Sequence, residues 1–514
     1  MNPIRSSPIL PFRVKFSISI RYSVLINSFQ SLILRGIFST ILEGNPILKR
    51  IPIFVLNAIA FIFVLFGIHT LVTSESVEIP KNVILMISDG CGYNHIDAAN
   101  LYQYGKTGVQ AFEKFPVSYA MSTYSADGDG YEPDKAWKRF DYVKEKFTDS
   151  AAAITAISTG EKTHDEVVGL DTNYRSLEHV IERVESLGKS TGVVTSVRFC
   201  DATPAGMITH NEYRKNYLEI SREMILESPL EVIMGCGHPC YDDDGHSVDS
   251  SLFEFEYAGE KETWEALIRG EIQNDADGDD LPDPWNFVED RSEFQSLMLG
   301  QTPKRVIGIP KVKATLQDGR TGDSLAVPYA VPFLSSVPTL NEMARAALNV
   351  LDNDPDGFFM MIEGGAVDWT SHHNESGRMI EEQIDFHDAV NAVIEWVETQ
   401  SSWDETLLIV TADHESGYLT GPGSGPEHAS GDSTIIPVWN PIKNNGKGQL
   451  PEMEWHSTNH TNSLVPFFAK GIGSELFHRY ANREDPVRGK FIDNTDIAHV
   501  LFSFFKNIHS QQGE

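Results

Sequence analysis

Three apolar runs of this chain end in acidic or imidazole side chains. Asn82-Val-Ile-Leu-Met-Ile-Ser88 leads into Asp89-Gly90. Gly357-Phe-Phe-Met-Met-Ile362 leads into Glu363, with Asp368 and His372 close behind, and Thr406-Leu-Leu-Ile-Val-Thr411 leads, after Ala412, into Asp413-His414. Runs of this kind read as strands, and in an open parallel α/β sheet ligands bind just beyond the carboxyl ends of the strands. The acidic endings are therefore expected to converge on one site. Carboxylates and imidazoles are costly to gather in that way unless cations occupy the space between them.

Beyond residue 77, strand-like and helix-like segments alternate, the pattern of a mostly parallel α/β sheet with helices on both faces. Leu177, Val180, Ile181, Val184 and Leu187 recur at helical spacing with Gly188 as a stop, and Thr191-Gly-Val-Val-Thr-Ser-Val197 follows as a strand. Leu340 to Val350 and Met379 to Val397 predict two amphipathic helices. Residues from about 235 to 335 break this rhythm. They are rich in Asp, Gly and Pro and read as an insertion subdomain on a catalytic domain spanning residues 77–514.

The start of the chain has a different character. Residues 1–50 are basic, rich in Ile and Ser, without a core-forming pattern, and read as an unstructured extension. Ile51 to Val72 is apolar except for Pro52, Asn57, Gly67, His69 and Thr70, with Lys49-Arg50 in front and small Ser74 and Ser76 behind. Residues 51–76 thus predict a signal peptide or membrane anchor, and with it an exported protein, periplasmic or extracellular. The formal net charge is −32, and the first 76 residues carry seven Lys/Arg and two Asp/Glu, which leaves −37 for the rest. Such acidity argues against a nucleic-acid-binding surface and against adhesion to anionic lipid outside the N-terminal segment. A phosphate-bearing substrate would need local positive groups, such as metal ions or a placed Arg.

Phe147-Thr-Asp-Ser-Ala-Ala-Ala-Ile-Thr-Ala-Ile-Ser-Thr-Gly160 predicts an Ala-rich helix with Asp149 and Ser150 at its start. Free N–H groups and the helix dipole favour an anion there, and a serine beside a metal can ionise and attack an electrophile. A plain N-cap is the other reading of the same residues.

Asp89-Gly90, Thr148-Asp-Ser150-Ala-Ala, Asp201-Ala-Thr203-Pro, Glu363-Gly-Gly-Ala-Val-Asp368, His372, Thr411-Ala-Asp413-His414 and His460 occur in this order, followed by Asp493-Asn-Thr-Asp-Ile-Ala. Together they resemble the alkaline phosphatases over roughly residues 80 to 505. The resemblance implies hydrolysis of small phosphate monoesters through a phosphoserine on Ser150, a homodimer, and three metal ions: two Zn2+ and one Mg2+. Asp368, His372 and His460 resemble ligands of the first zinc. Asp89, Asp413 and His414 resemble ligands of the second, with Ser150 as its nucleophilic oxygen. Asp89, Thr203 and Glu363 resemble the magnesium site, with Asp201 nearby or reaching it through water. Arg214, in Asn211-Glu-Tyr-Arg214, matches the spacing of the family's phosphate-clamping arginine. The donor chemistry agrees, because imidazole with carboxylate suits zinc while carboxylate and hydroxyl oxygens suit magnesium.

Trp369 departs from the family pattern, in which some members carry a basic residue near the magnesium site, and so bears on magnesium affinity and pH optimum. His373 and His456 read as ordinary site-lining or surface residues. In the insertion, Asp275, Asp277, Asp279 and Asp283 alternate around Gly278 in the manner of calcium loops, without the bidentate Glu that closes a full EF-hand. A Ca2+ site and a solvated acidic turn both remain open for that loop. Cys236 and Cys240 are close enough to pair around a tight turn, while Cys91 and Cys200 read as packing residues. Two competing functions are a phosphodiesterase on the same scaffold and a tethered calcium-binding surface protein with a degenerate enzyme fold. The serine at 150, where phosphodiesterases usually present threonine, speaks against the first, and the intact ligand set against the second.

Overall fold

The computed structural model describes residues 79–276, 281–428 and 435–505. The basic extension 1–50, the apolar segment 51–76, and Asp277 and Asp279 of the acidic loop lie outside the described residues. Eleven strands join in one sheet: Asn82–Ser88 (β1), Val117–Ser122 (β2), Ser190–Arg198 (β3), Val232–Cys236 (β4), Asn286–Val288 (β5), Val306–Gly308 (β6), Phe358–Gly364 (β7), Thr406–Thr411 (β8), Val465–Gly471 (β9), Arg483–Asp485 (β10) and Gly489–Asp493 (β11). Their order across the sheet is β10-β11-β2-β9-β8-β1-β7-β3-β4-β6-β5. From β8 to β5 all neighbours are parallel, and only β9 and β10 run against the rest.

Burial explains the order. Every residue of β1, β7 and β8 is buried, so these strands need cover on both faces and take the middle of the sheet. The helices that supply cover include Tyr93–Tyr104 (α1), Ser150–Thr159 (α2), Ala202–Ala205 (α3), Leu340–Leu351 (α4), Ala366–His372 (α5), Ser376–Thr399 (α6) and Thr495–Phe504 (α7). One set packs around α6, with α1, α4 and α5 against it; another joins α2 to α7 and α3. Local signals fix the ends. Thr339 Oγ1 accepts from Glu342 N (3.2 Å) while Thr339 N donates to Glu342 Oε2 (3.1 Å), a reciprocal cap that starts α4. Gly160, at φ 82°, ends α2 in the left-handed conformation.

The helix expected from Leu177 to Leu187 is shorter, Val180–Glu185. Leu177 N bonds to Gly169 O, and His179 N bonds to Glu182 Oε2 (2.8 Å), so the helix begins only after His179. Within the stretch read as an insertion, β5 and β6 extend the edge of the sheet. All four cysteines are free thiols: Cys236 and Cys240 do not pair, and Cys236 Sγ lies 3.4 Å from Ser196 O. Among the described residues no helix is long and apolar enough to cross a membrane.

The segment before α4 is latched to α6 by a buried ion pair. Arg320 Nη2 meets Glu381 Oε2 at 2.6 Å, with side chains 1% and 3% exposed, and Arg320 also donates to the carbonyls of Gln317, Val331 and Pro332. Glu381→Leu leaves the guanidinium buried without its countercharge and is expected to lower stability by about 3–5 kcal/mol. Glu381→Gln, which keeps an acceptor, should cost less. Denaturant unfolding of the three proteins decides it; equal midpoints would show that the pair does not hold this segment.

Candidate active site and metal centre

Strand register builds the site. Ile87 of β1 lies opposite Glu363 of β7 on one side and Thr411 of β8 on the other. The three strands end together, which brings Asp89, Glu363, Asp413 and His414 to one rim. Gly90, at φ 71°, carries the chain past α5: a Cβ there would stand 2.8 Å from Asp368 Cα. Only glycine allows both that conformation and that approach. Helix α5 in turn presents Asp368 and His372 one turn apart, and Gly90 N donates to Asp413 Oδ1 (3.2 Å).

The imidazoles are oriented by the backbone. His372 Nδ1 lies 2.6 Å from Thr458 O, and His460 Nδ1 lies 2.8 Å from Thr148 O. A ring nitrogen facing a carbonyl carries the proton, so Nε2 of each ring turns its lone pair to the site. These two Nε2 atoms are 3.0 Å apart, and Asp368 lies 3.3 Å from the first and 3.5 Å from the second. Two lone pairs at that distance repel unless a proton or a metal cation lies between them. His414 Nε2 forms a second focus, 3.2 Å from Asp413 Oδ2, 3.5 Å from Asp89 Oδ1 and 3.2 Å from Ser150 Oγ. The rings of His414 and His460 stack at 3.6 Å, so the two foci adjoin. Donor atoms of Asp368, His414 and His460, and those of Asp89, Asp413 and His414, lie within 4.8 Å of one another.

The carboxylates repel each other. Burial, with Asp413, Asp368 and Glu363 adding, holds the Asp89 carboxyl well above the usual range. Burial likewise pushes Glu363 up to about 8 and Asp413 up to about 6. Asp368 is the exception: burial raises it, but the His460 and His372 imidazoles outweigh burial and hold it well below the ordinary value. Burial disfavours the His372 imidazolium, yet the Asp368 carboxylate wins and raises it to about 9. Asp89 Oδ1 and Asp413 Oδ2 are buried without a hydrogen-bond partner among the described residues. Orphaned buried oxygens, facing lone pairs and mutual carboxylate repulsion together fit divalent cations. The mixed imidazole–carboxylate foci suit zinc. Asp89 Oδ2, 3.4 Å from Thr203 Oγ1, and Glu363, hydrogen-bonded by Thr195 Oγ1, form an oxygen-only corner suited to magnesium. Among the described residues neither Glu363 nor Asp201 joins a cluster of donors within 4.8 Å.

Ser150 heads α2 and is 2% exposed. Asp149 Oδ1 accepts from Ala152 N (3.0 Å) as the N-cap, and its Oδ2 takes Arg214 Nη1 at 2.8 Å. The cap thus anchors the guanidinium beside the serine. In the sequence Asp149 reads only as a helix start, since its pairing with Arg214 spans 65 positions. The contacts of Thr195 with Glu363, of Ser416 Oγ with Asp368 Oδ1, and of Thr461 Oγ1 with Glu415 are likewise not legible in the sequence. Adjacency to His414 is the one signal that pointed to Glu415 and Ser416. His373 is exposed; His456 Nε2 bonds to Thr420 Oγ1 (2.7 Å) and its ring packs on Phe140. Asp283 Oδ1 lies 2.8 Å from Lys304 Nζ and its Oδ2 accepts from Ala276 N. A further cluster, His179, Glu182 and His210, has its ring nitrogens on Ser158, Thr209, Leu177 and Glu223, a satisfied packing network.

The sequence model of the alkaline phosphatase family matches residues 80–445. The chain belongs to the alkaline phosphatase family. Alkaline phosphatase 4 of Bacillus subtilis (strain 168) is 26% identical over 490 residues, covering 83% of this chain and 89% of the relative. Alkaline phosphatase 3 of the same organism is 27% identical over 379 residues, covering 72% and 69%. In fold the chain is similar to the alkaline phosphatase of the Antarctic bacterium TAB5, with 22% identity, a TM-score of 0.56, and 84% and 99% of the two chains covered. A mutant of that enzyme has been solved with magnesium bound in its M3 site. Family and fold make this alkaline phosphatase homologue a phosphoester hydrolase that binds divalent metal.

A stability prediction follows for protein stripped of metal by chelation. Above about pH 6.5 His414 is neutral whether folded or unfolded, because burial lowers it well below the ordinary value. Glu363, raised from 4.5 to about 8, and His372, raised from 6.5 to about 9, still hold protons that the unfolded chain has released. Raised groups stabilise at low pH and lose that contribution as pH climbs through the folded values. The chelated protein should therefore melt at falling temperature from pH 6.5 to 9, and zinc should flatten the trend. Parallel melting curves with and without zinc would show that these groups do not carry the linkage.

Proposed function

We propose that the protein hydrolyses phosphate monoesters by way of a phosphoserine on Ser150. The observation that carries this reading is the placement of Ser150 Oγ at the buried head of α2, 3.2 Å from His414 Nε2, with Arg214 anchored alongside by Asp149. Two zinc ions, held by Asp368, His372 and His460 and by Asp89, Asp413 and His414, with magnesium held by Asp89, Thr203 and Glu363, would supply Lewis-acid stabilisation of charge on the reacting oxygens.

The chain's own residues do the rest. Ser150 Oγ, losing its proton, attacks phosphorus in line, and the ester oxygen leaves as the alcohol. The free N–H groups at the head of α2 and the fork of Arg214 hold the phosphoryl oxygens while negative charge builds on them. Water then attacks the phosphoserine from the vacated side, releasing inorganic phosphate and restoring the hydroxyl. Two displacements leave the configuration at phosphorus retained. The family resemblance supports a homodimer, and the basic-flanked apolar run Ile51 to Val72 supports export to the periplasm or cell exterior.

The zinc-loaded protein should turn over p-nitrophenyl phosphate far better than its bis ester, and acid quenching during turnover should trap phosphate on Ser150. Preference for the bis ester would replace the monoesterase with a phosphodiesterase. Ser150→Ala is expected to lower turnover by on the order of 10³ or more, with the residue due to direct attack by water. Near-normal turnover in folded Ser150→Ala protein would falsify the nucleophile assignment. Arg214→Ala should raise KM and weaken phosphate inhibition, by about 1.5–3 kcal/mol in transition-state binding, as expected for a charge-assisted pair. Unchanged phosphate inhibition would place the guanidinium away from the substrate.

A further inference from the structure

Beside the oxygen-only corner stands a cation that the proposed chemistry does not use. Arg198 is the last residue of β3, where the pairing with β4 shifts register between Val194 and Arg198. The turn that follows, closed by Asp201 N donating to Arg198 O (3.0 Å), folds Asp201 back beside it at the head of α3. Arg198 Nη1 lies 3.7 Å from Asp201 Oδ2, with side chains 15% and 10% exposed. This is an ion pair without a hydrogen bond. Among the described residues Asp201 Oδ2 has no hydrogen-bond partner, and neither has Arg198 Nε.

The guanidinium is held by aromatic rings. Its carbon lies 4.3 Å from the ring centre of Tyr257, 5.1 Å from that of Trp369 and 6.0 Å from that of Tyr217. Ring faces attract a cation and exclude water, so the charge is fixed in place and poorly screened. Trp369 follows Asp368 directly, and Tyr257 comes from the stretch read as an insertion. The cage thus joins the inserted segment to the metal centre, and it does so at Asp201, two positions before Thr203 of the magnesium corner.

We propose that Arg198 is a positioning residue that sets the affinity of the third cation. Its fixed charge neutralises Asp201, so the magnesium corner holds its ion weakly and exchangeably. This rests on the three-cation reading above. The carboxylate of Asp201 adds a favourable charge to that corner, and a guanidinium 3.7 Å away cancels it and repels a dication in addition. Trp369, the departure noted in the sequence, then has a role: with a ring in that position the positive charge reaches the corner from β3 instead.

The test is magnesium titration calorimetry on zinc-loaded protein, with magnesium content measured after gel filtration. Arg198→Gln is expected to bind magnesium about tenfold more tightly than wild type and to retain it through the column, the scale of losing one poorly screened charge. Arg198→Lys, which keeps the charge, should stay near wild type. Arg198→Met, which keeps the stem under the rings, replaces Arg198→Gln if the latter does not fold, judged by its melting curve and two bound zinc ions. Magnesium affinity in the charge-neutral variant equal to or weaker than wild type overturns the inference, since Arg198 would then be idle or would orient Asp201 for binding. If neither protein takes up magnesium, the inference falls with the third-site assignment. Turnover of p-nitrophenyl phosphate by the zinc-loaded wild type would still leave the two-zinc reading standing.

Discussion

Asp89, Glu363 and Asp413 sit buried at the ends of three adjacent parallel strands, and Asp89 Oδ1 and Asp413 Oδ2 lack a hydrogen-bond partner among the described residues. Among the described residues nothing neutralises all three. Their repulsion is the constraint on which the rest of the site depends, because a fold that gathers such groups must admit cations or hold protons in their place. The scaffold meets the need by rigidity. The strands are buried end to end, so their termini cannot splay apart to relieve the repulsion. The histidines are braced from outside, His372 by Thr458 O and His460 by Thr148 O, so that their lone pairs have no choice of direction.

The second brace shows how catalysis and scaffold are joined. Thr148 precedes Asp149 and Ser150, so one short segment orients His460 through its carbonyl, anchors Arg214 through its carboxylate and presents the serine through its hydroxyl. A shift of α2 would disturb all three at once. Helix α2 is correspondingly fixed, buried at every residue and packed on α7 and α3. Positioning of this kind is what in-line displacement at phosphorus needs, since small misplacements are costly in rate.

Much of this was legible in the sequence, because both the sheet and the ligands are local signals. Strand endings announce Asp89, Glu363, Asp413 and His414, and helical spacing announces Asp368 and His372. The structure brings Asp89, Asp413 and His414 together and groups Asp368 and His460 with His414, while Glu363 and Asp201 of the expected magnesium corner fall in neither cluster. The partners of those ligands were not legible. Asp149 with Arg214, Thr195 with Glu363, and Arg198 with Tyr257 and Trp369 join segments far apart in the chain, and each residue alone reads as a cap, a strand position or a surface charge. The helix from Leu177 failed for a related reason: apolar periodicity continued across a residue that tertiary contact with Gly169 holds outside the helix.

The unequal fates of the four carboxylates carry a last consequence. Asp368 is held ionised by two imidazoles, while Glu363 and Asp89 are driven toward the protonated form by burial and by neighbouring carboxylates, Asp413 foremost. In the zinc focus around Asp368 the anion is already formed before any metal arrives and the histidines are already aimed, with the His372 proton left to release. The corner around Glu363 must release protons before it can take an oxygen-seeking dication. Binding there competes with protons as well as with the caged charge of Arg198. The order of loading that this favours, the Asp368 focus first and the oxygen corner last, comes from one asymmetry in the fold. Imidazoles flank Asp368, reached from α5 and from the segment at His460, whereas Glu363 at the end of β7 faces the hydroxyls of Thr195 and Thr203 and the carboxylates of Asp413 and Asp201.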